Sequence, residues 1–215
     1  MKKKGFITGL ALVLALGTLA LSGCSKKEPA SAAGEDGASQ AEESTASDRL
    51  SEIREKGEIV VAMEGTWAPW TYHDEDDNLV GYDVEVAQRI AQKLGVTAVF
   101  VEGEWDGLLA GLDAGRYDMM VNGVEITDER AEKYDFTVPY GYIRTAIIVN
   151  GDNEEIQSFE DLAGKHTANT ISSTYAELAE SYGAEVTGVD DLNQTFELLL
   201  SGRIDATLNA ELTYY

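Results

Sequence analysis

Four short segments place chemically useful residue types where apolar runs end. The first, Glu64-Gly65-Thr66-Trp67-Ala68-Pro69-Trp70, follows the apolar run EIVVAM at 58–63. Pro69 stiffens this loop, so the Trp67 ring can be presented to an aliphatic or cationic group, which aromatic faces suit. The alternative is that Trp67 and Trp70 both pack in a core. Glu64 puts a carboxylate at the same strand end. The second segment, Glu104-Trp105-Asp106-Gly107, opens a helix, where Trp105 is either a facing aromatic wall or a core residue. In the third, Asn122 to Arg130, Asn122 and Gly123 lie at a strand end where backbone carbonyls become free to accept from an ammonium group. Arg130 offers a planar fork for a carboxylate; its alternative is a local pair with Glu129 or Asp128. The fourth, Thr170-Ile171-Ser172-Ser173-Thr174-Tyr175, runs from a strand into a helix. The free N–H groups of a helix start, with the Thr170, Ser173 and Thr174 hydroxyls beside them, make an anion site. Plain capping by Ser172 or Ser173 would satisfy the same geometry.

No catalytic constellation accompanies these segments. His73 and His166 are far apart in the chain and read as surface or packing residues, and the serines at 172–173 have no base near them in sequence. No Gly-rich phosphate loop occurs. Cys24 is the only cysteine, which excludes a disulfide, a thiolate metal site and a catalytic thiol from the folded part. No metal and no cofactor is expected. The formal net charge of -23, from 39 acidic and 16 basic side chains, leaves no basic patch for nucleic acid. It favours a neutral or cationic ligand over an anionic one.

An alternation of strands and helices from Asp48 onward must position the four segments. Glu58 to Met63 reads as a strand. Asp83 is a good N-cap, after which Val84, Ala87, Ile90, Ala91 and Leu94 recur at helical spacing until Gly95. Val96 to Val101 reads as a strand, Trp105 to Ala114 as a helix closed by Gly115, and Tyr117 to Val121 as the next strand. That order predicts a parallel sheet with right-handed crossovers. Thr127 caps a short helix bearing Arg130, and Arg144 to Val149 is a strongly apolar strand. The pattern then restarts: a turn at 158–162, a strand around 166–170, helices at 173–182 and 191–200, and a strand at 204–208. Two α/β units, 48–145 and 146–215, facing each other make a cleft at the carboxyl ends of their strands. The second unit, with two clear strands and no closing helix, reads as incomplete.

The N-terminal part sets the compartment. Lys2, Lys3 and Lys4 precede an apolar run from Phe6 to Leu21, the length of a signal-peptide core. The run ends in Leu21-Ser22-Gly23-Cys24, a lipobox, so 1–23 is expected to be removed and Cys24 to carry acyl chains; an ordinary signal peptide is the alternative. Two or more chains hold a protein on a membrane far better than one. Residues 24–47, rich in Ala, Ser, Gly and Glu, read as a flexible tether. The expected location is the extracytoplasmic face of the cell membrane, with the lipid as the only membrane contact.

GYDVEVAQRIAQKLG (81–95), WDGLLAGLDAGRYDMMVNGVEITDERAEKYDFTVPY (105–140), DLAGK (161–165) and SGRIDATLNAE (201–211) occur in this order. They resemble the bacterial extracellular solute-binding proteins that serve polar amino-acid ABC importers, from about residue 50 to the end. The resemblance implies a two-lobed periplasmic-binding-protein fold closing by hinge bending. Arg144–Val149 would be the outward crossing between lobes, with the return crossing and the end of the second lobe lacking from this chain. It implies a monomer that binds an amino acid and delivers it to a permease. Carried over, Trp67 is the stacking residue and Trp105 the facing wall. Arg130 pairs with the α-carboxylate, which Ser173, Thr174 and the preceding Thr170 grip from the other lobe. Gly123 and position 125 face the α-ammonium. Two departures stand out: a small hydroxyl residue is usual where Glu125 stands, and an aspartate is common where Ala210 stands. The pairing suggests that the ammonium's counter-charge has moved to Glu125; the alternative is that Glu125 reads a cationic ligand side chain, which Glu64 could read instead or as well. An enzyme on the same fold, with Glu125 as general acid, is the alternative; a receptor ectodomain is a third.

Overall fold

The structure, a computed structural model, describes residues 41–215, with side chains described from Arg49 onward. The signal segment, Cys24 and the tether as far as Gln40 lie outside the described residues. Helix α1 (Ala41–Lys56) starts inside the segment read as a tether. Its second half, with Glu, Arg, Leu and Lys, favours helix, and Ile53 anchors its end in the core.

From α1 the chain enters β1 (Glu58–Met63) and then a small antiparallel sheet of β2 (Thr66–Trp67), β3 (Thr71–His73) and β4 (Leu79–Val80). There follow α2 (Tyr82–Leu94), β5 (Thr97–Glu102), α3 (Trp105–Asp113), β6 (Met119–Met120) and α4 (Asp128–Ala131). As expected, β1, β5 and β6 pair in parallel, in the order β5-β1-β6. Val61 and Met63 of the central strand meet Val84, Ala87 and Ala91 of α2, whose 3- and 4-residue spacing puts them on one face. Asp83 is not the cap of α2. Gly81 is, at φ 128, and a Cβ there would lie 2.3 Å from the Trp70 carbonyl oxygen, so only glycine fits. Asp83 therefore falls in the first turn with its side chain fully buried.

The second lobe contains β7 (Thr145–Val149), β8 (His166–Asn169), α5 (Thr174–Ser181), β9 (Glu185–Gly188), α6 (Leu192–Leu200) and β10 (Ala206–Ala210). Short 3-10 turns lie at Phe159–Leu162 and Glu211–Tyr214. The sheet runs β7-β10-β8-β9, with β10 parallel to β8 and antiparallel to β7. It is thus mixed and four-stranded, where two clear strands were expected. The apolar run 145–149 is an edge strand of this lobe, paired along its length with β10 from Thr145↔Ala210 to Val149↔Ala206. Strand β9 escaped notice because its four residues EVTG are mostly exposed and carry no apolar alternation. Thr127 caps α4 as expected, Ser173 rather than Ser172 caps α5, and Asp191, read as the first residue of its helix, is instead the cap of α6; each accepts from a first-turn N–H.

Candidate functional site

The ends of β1, β6 and β8 and the starts of α3, α5 and α6 converge on one cleft between the lobes, with an empty volume of about 610 Å³ that is partly open to solvent. All ten candidate binding residues line it: Glu64, Trp67, Trp105, Asn122, Gly123 and Glu125 with Arg130 from lobe 1, and Thr170, Ser173 and Thr174 from lobe 2.

The lobe 1 wall is rigid. The Glu64 N–H donates to Asn122 Oδ1 at 2.8 Å, and Asn122 Nδ2 donates back to Glu64 Oε2 at 2.7 Å, tying the end of β1 to the residue after Val121. Burial pushes the Glu64 carboxyl above the usual range; the Asn122 bond opposes this, and the charge of Asp191 adds to it. Trp67 is both wall and core. Its ring packs with Trp70, and its indole N–H donates to Asn209 Oδ1 at 3.0 Å and Thr213 Oγ1 at 3.1 Å in lobe 2. Gly123, at φ +56, lies against that ring, and a Cβ there would be 2.9 Å from Trp67 Cη2.

Arg130 does not pair with Glu129 or Asp128; Glu129 bonds Lys133 instead. The Arg130 guanidinium lies over the Trp105 ring, 5.3 Å from its centroid, a cation–π contact. Nη1 donates to the Glu125 carbonyl at 3.2 Å, and Nη2 crosses the cleft to the Ser172 carbonyl at 3.1 Å. Ser172 also bonds Asp106 through its hydroxyl, a second link between the lobes. Ser173 caps α5 by accepting from the Ala176 N–H at 3.2 Å and donates to the Thr170 carbonyl at 2.6 Å. Its hydroxyl is thus spoken for by the cap, while the Thr174 and Tyr175 N–H groups lie in the first turn, where no intrahelical acceptor reaches them.

Asn169, Tyr175, Asp191, Leu192, Thr195 and Asn209 also line the cleft and were not foreseen. Asn169 and Asn209 lie at strand ends and Asp191 at a predicted helix start, so position offered a signal, but only tertiary packing shows that these side chains share the cleft. Ala210 is not among the lining residues: it is fully buried against Trp67 and Trp70, and its neighbour Asn209 lines the cleft instead. Glu125 sits exposed at the rim. Its charge, after burial and ahead of that of Glu64, keeps the Tyr175 hydroxyl from ionising.

Residues 59–199 match the model of the bacterial extracellular solute-binding proteins, family 3. The chain belongs to this family. Among relatives of this solute-binding protein, the L-cystine-binding protein TcyA of Bacillus subtilis is 39% identical over 204 residues, which cover 94% of this chain and 73% of the relative. A probable amino-acid ABC transporter-binding protein of Haemophilus influenzae is 42% identical over 154 residues, covering 72% and 60%. The chain thus spans under two thirds of some curated relatives. Among solved structures, the arginine-bound form of truncated ArgBP from T. maritima matches with a TM-score of 0.72 at 32% identity, covering 76% of this chain and 78% of that one. These likenesses carry the two-lobed solute-binding fold.

Proposed function

We propose that this solute-binding protein captures an amino acid in the interlobe cleft and delivers it to an ABC import permease. It acts as a monomer held by acyl chains on Cys24 at the extracytoplasmic face of the cell membrane. The observation that carries the reading is the presentation of Arg130. Its fork is braced by the Trp105 face and two backbone carbonyls, directly across from the N-terminal turn of α5. A guanidinium and free helix-start N–H groups on opposite walls are a carboxylate clamp. Gly123, Glu125 and Glu64 supply acceptors for an ammonium group. The relatives' names point the same way. The alternative of a catalytic Glu125 draws no support from its exposed rim position, since a general acid works from within reach of a sequestered substrate.

A thermal-shift screen of the twenty amino acids with cystine and ornithine tests the reading. A true ligand at 100 times its dissociation constant stabilises the fold by about 2.7 kcal/mol. Arg130→Ala is expected to weaken that ligand by about a hundredfold, because it leaves a carboxylate desolvated and unpaired, with circular dichroism unchanged. A screen in which no amino acid shifts the melt overturns the proposal, and an Arg130→Ala loss under fivefold removes the clamp.

A further inference from the structure

Three carboxylates line the cleft, Glu64, Glu125 and Asp191, against the guanidinium of Arg130. Glu64 and Asp191 come from opposite lobes, and each commits one oxygen within its own. Glu64 Oε2 accepts from Asn122, and Asp191 Oδ1 accepts from the Gln194 N–H at 3.0 Å as the cap of α6. Among the described residues no hydrogen bond takes the second oxygen of either carboxylate. A third acceptor stands beside them. Asn169 is 4% exposed and donates Nδ2 to the Leu208 carbonyl at 2.7 Å, which fixes the amide, yet its Oδ1 has no partner among the described residues. A buried acceptor left unpaired is costly, and so are two like charges brought together in a closing cleft. All three needs are met by one kind of group: a cation rich in N–H donors.

We propose that Glu64 and Asp191 form a cradle, one side from each lobe, for a second cationic group of the ligand, so that the protein selects amino acids carrying an ammonium or guanidinium beyond the α-carbon. This rests on the amino-acid reading above and names its ligand class. Arg130 and the start of α5 take the α-carboxylate. The distal cation sits between Glu64 and Asp191 with Asn169 Oδ1 as a further acceptor, and lobe closure brings Asp191 onto it. L-Arginine, with its guanidinium, and L-cystine, with its second α-ammonium, share this chemistry. Asp191 is then a specificity-determining residue that its capping role conceals.

Calorimetry on the full chain with L-arginine, L-cystine, L-citrulline and L-glutamine tests the cradle. Citrulline matches arginine in shape but carries a neutral urea. The wild type is expected to bind arginine or cystine about tenfold or more tightly than citrulline and glutamine. Asp191→Asn keeps the cap, since Asn caps as well as Asp, and is expected to weaken the dicationic ligand about tenfold while leaving citrulline within about threefold. Glu64→Gln, which keeps the Asn122 contacts, provides the second variant, and unchanged melting of both shows that the fold is intact. A response to arginine alone identifies a side-chain cation and a response to cystine a second α-ammonium; either supports the cradle. Binding of neither arginine nor cystine above citrulline and glutamine by the wild type, or an unchanged ratio in Asp191→Asn, overturns it and leaves the amino-acid reading standing. Failure of every amino acid to bind overturns both.

Discussion

At the scale of single residues, Asp83 is a carboxylate buried in lobe 1. Among the described residues neither of its carboxylate oxygens meets the geometry of a hydrogen bond, and burial pushes its pKa from 3.8 up to about 6, with the nearby Tyr140 hydroxyl and Gly123 N–H holding it back in part. The folded protein therefore holds this proton more tightly than the unfolded chain does. Stability from this group is full below pH 3.8 and is lost as pH rises through about 6, by up to about 3 kcal/mol. Glu64, raised by its own burial, acts in the same direction. Asp83→Asn removes the ionisation and keeps the shape. The variant is expected to match the wild type near pH 4 and to exceed it by about 2–3 kcal/mol at pH 7.5. Denaturant melts at a series of pH values measure this. Asp74 and Asp161, whose pKa values are lowered by backbone and side-chain hydrogen bonds, cancel in the difference. A constant gap across pH would show that Asp83 stays ionised in the fold.

At the scale of elements, the turn after β6 shows how a backbone conformation shapes the cleft. Gly123→Ala puts a Cβ on a left-handed residue, about 1–2 kcal/mol uphill, and drives it into the Trp67 ring. The variant is expected to melt earlier by that amount and to bind ligand about tenfold more weakly, since closing lobes transmit such displacements to the ligand. Normal calorimetry and melting together would show a roomier turn. The elements legible from sequence were those with a period, a cap or a glycine stop: α2 from its apolar stripe, α5 from the serines before it, and α6 from the run ended by Gly202. The candidate residues were found because ligands gather at strand ends, a rule that needs only strand positions. What stayed hidden has physical reasons. Strands of two or three residues, such as β2 to β4, show no alternation. The glycine that begins α2 is dictated by the Trp70 carbonyl, which sequence alone does not place. Asp191 read only as a helix start, because its place in the cleft depends on residues far away in the chain.

At the scale of the whole molecule, hydrogen bonds among the described residues join the lobes: Trp67 to Asn209 and Thr213, Arg130 to the Ser172 carbonyl, and the Ser172 hydroxyl to Asp106. The Asp106 link can be removed without touching the ligand clamp. Asp106→Ala is expected to destabilise the closed form by about 1 kcal/mol and to weaken ligand about fivefold, chiefly through faster release, with the melting temperature of the ligand-free protein unchanged. Stopped-flow release rates check this, and an unchanged off-rate removes Asp106 from closure. The placing of β10 between β7 and β8 has a consequence for how the chain comes together in time. The sheet of lobe 1 has all three of its strands once residue 120 has been made, whereas β7 finds its partner only when Ala206–Ala210 arrives at the far end of a long intervening stretch. The β1–β6 pairing spans a similar stretch of chain, so the order comes from synthesis, which completes the lobe 1 strands first. Lobe 1 is therefore the early-folding half, and the strand TAIIV spends the interval as a bare apolar edge, the segment of this molecule most in need of a chaperone's cover.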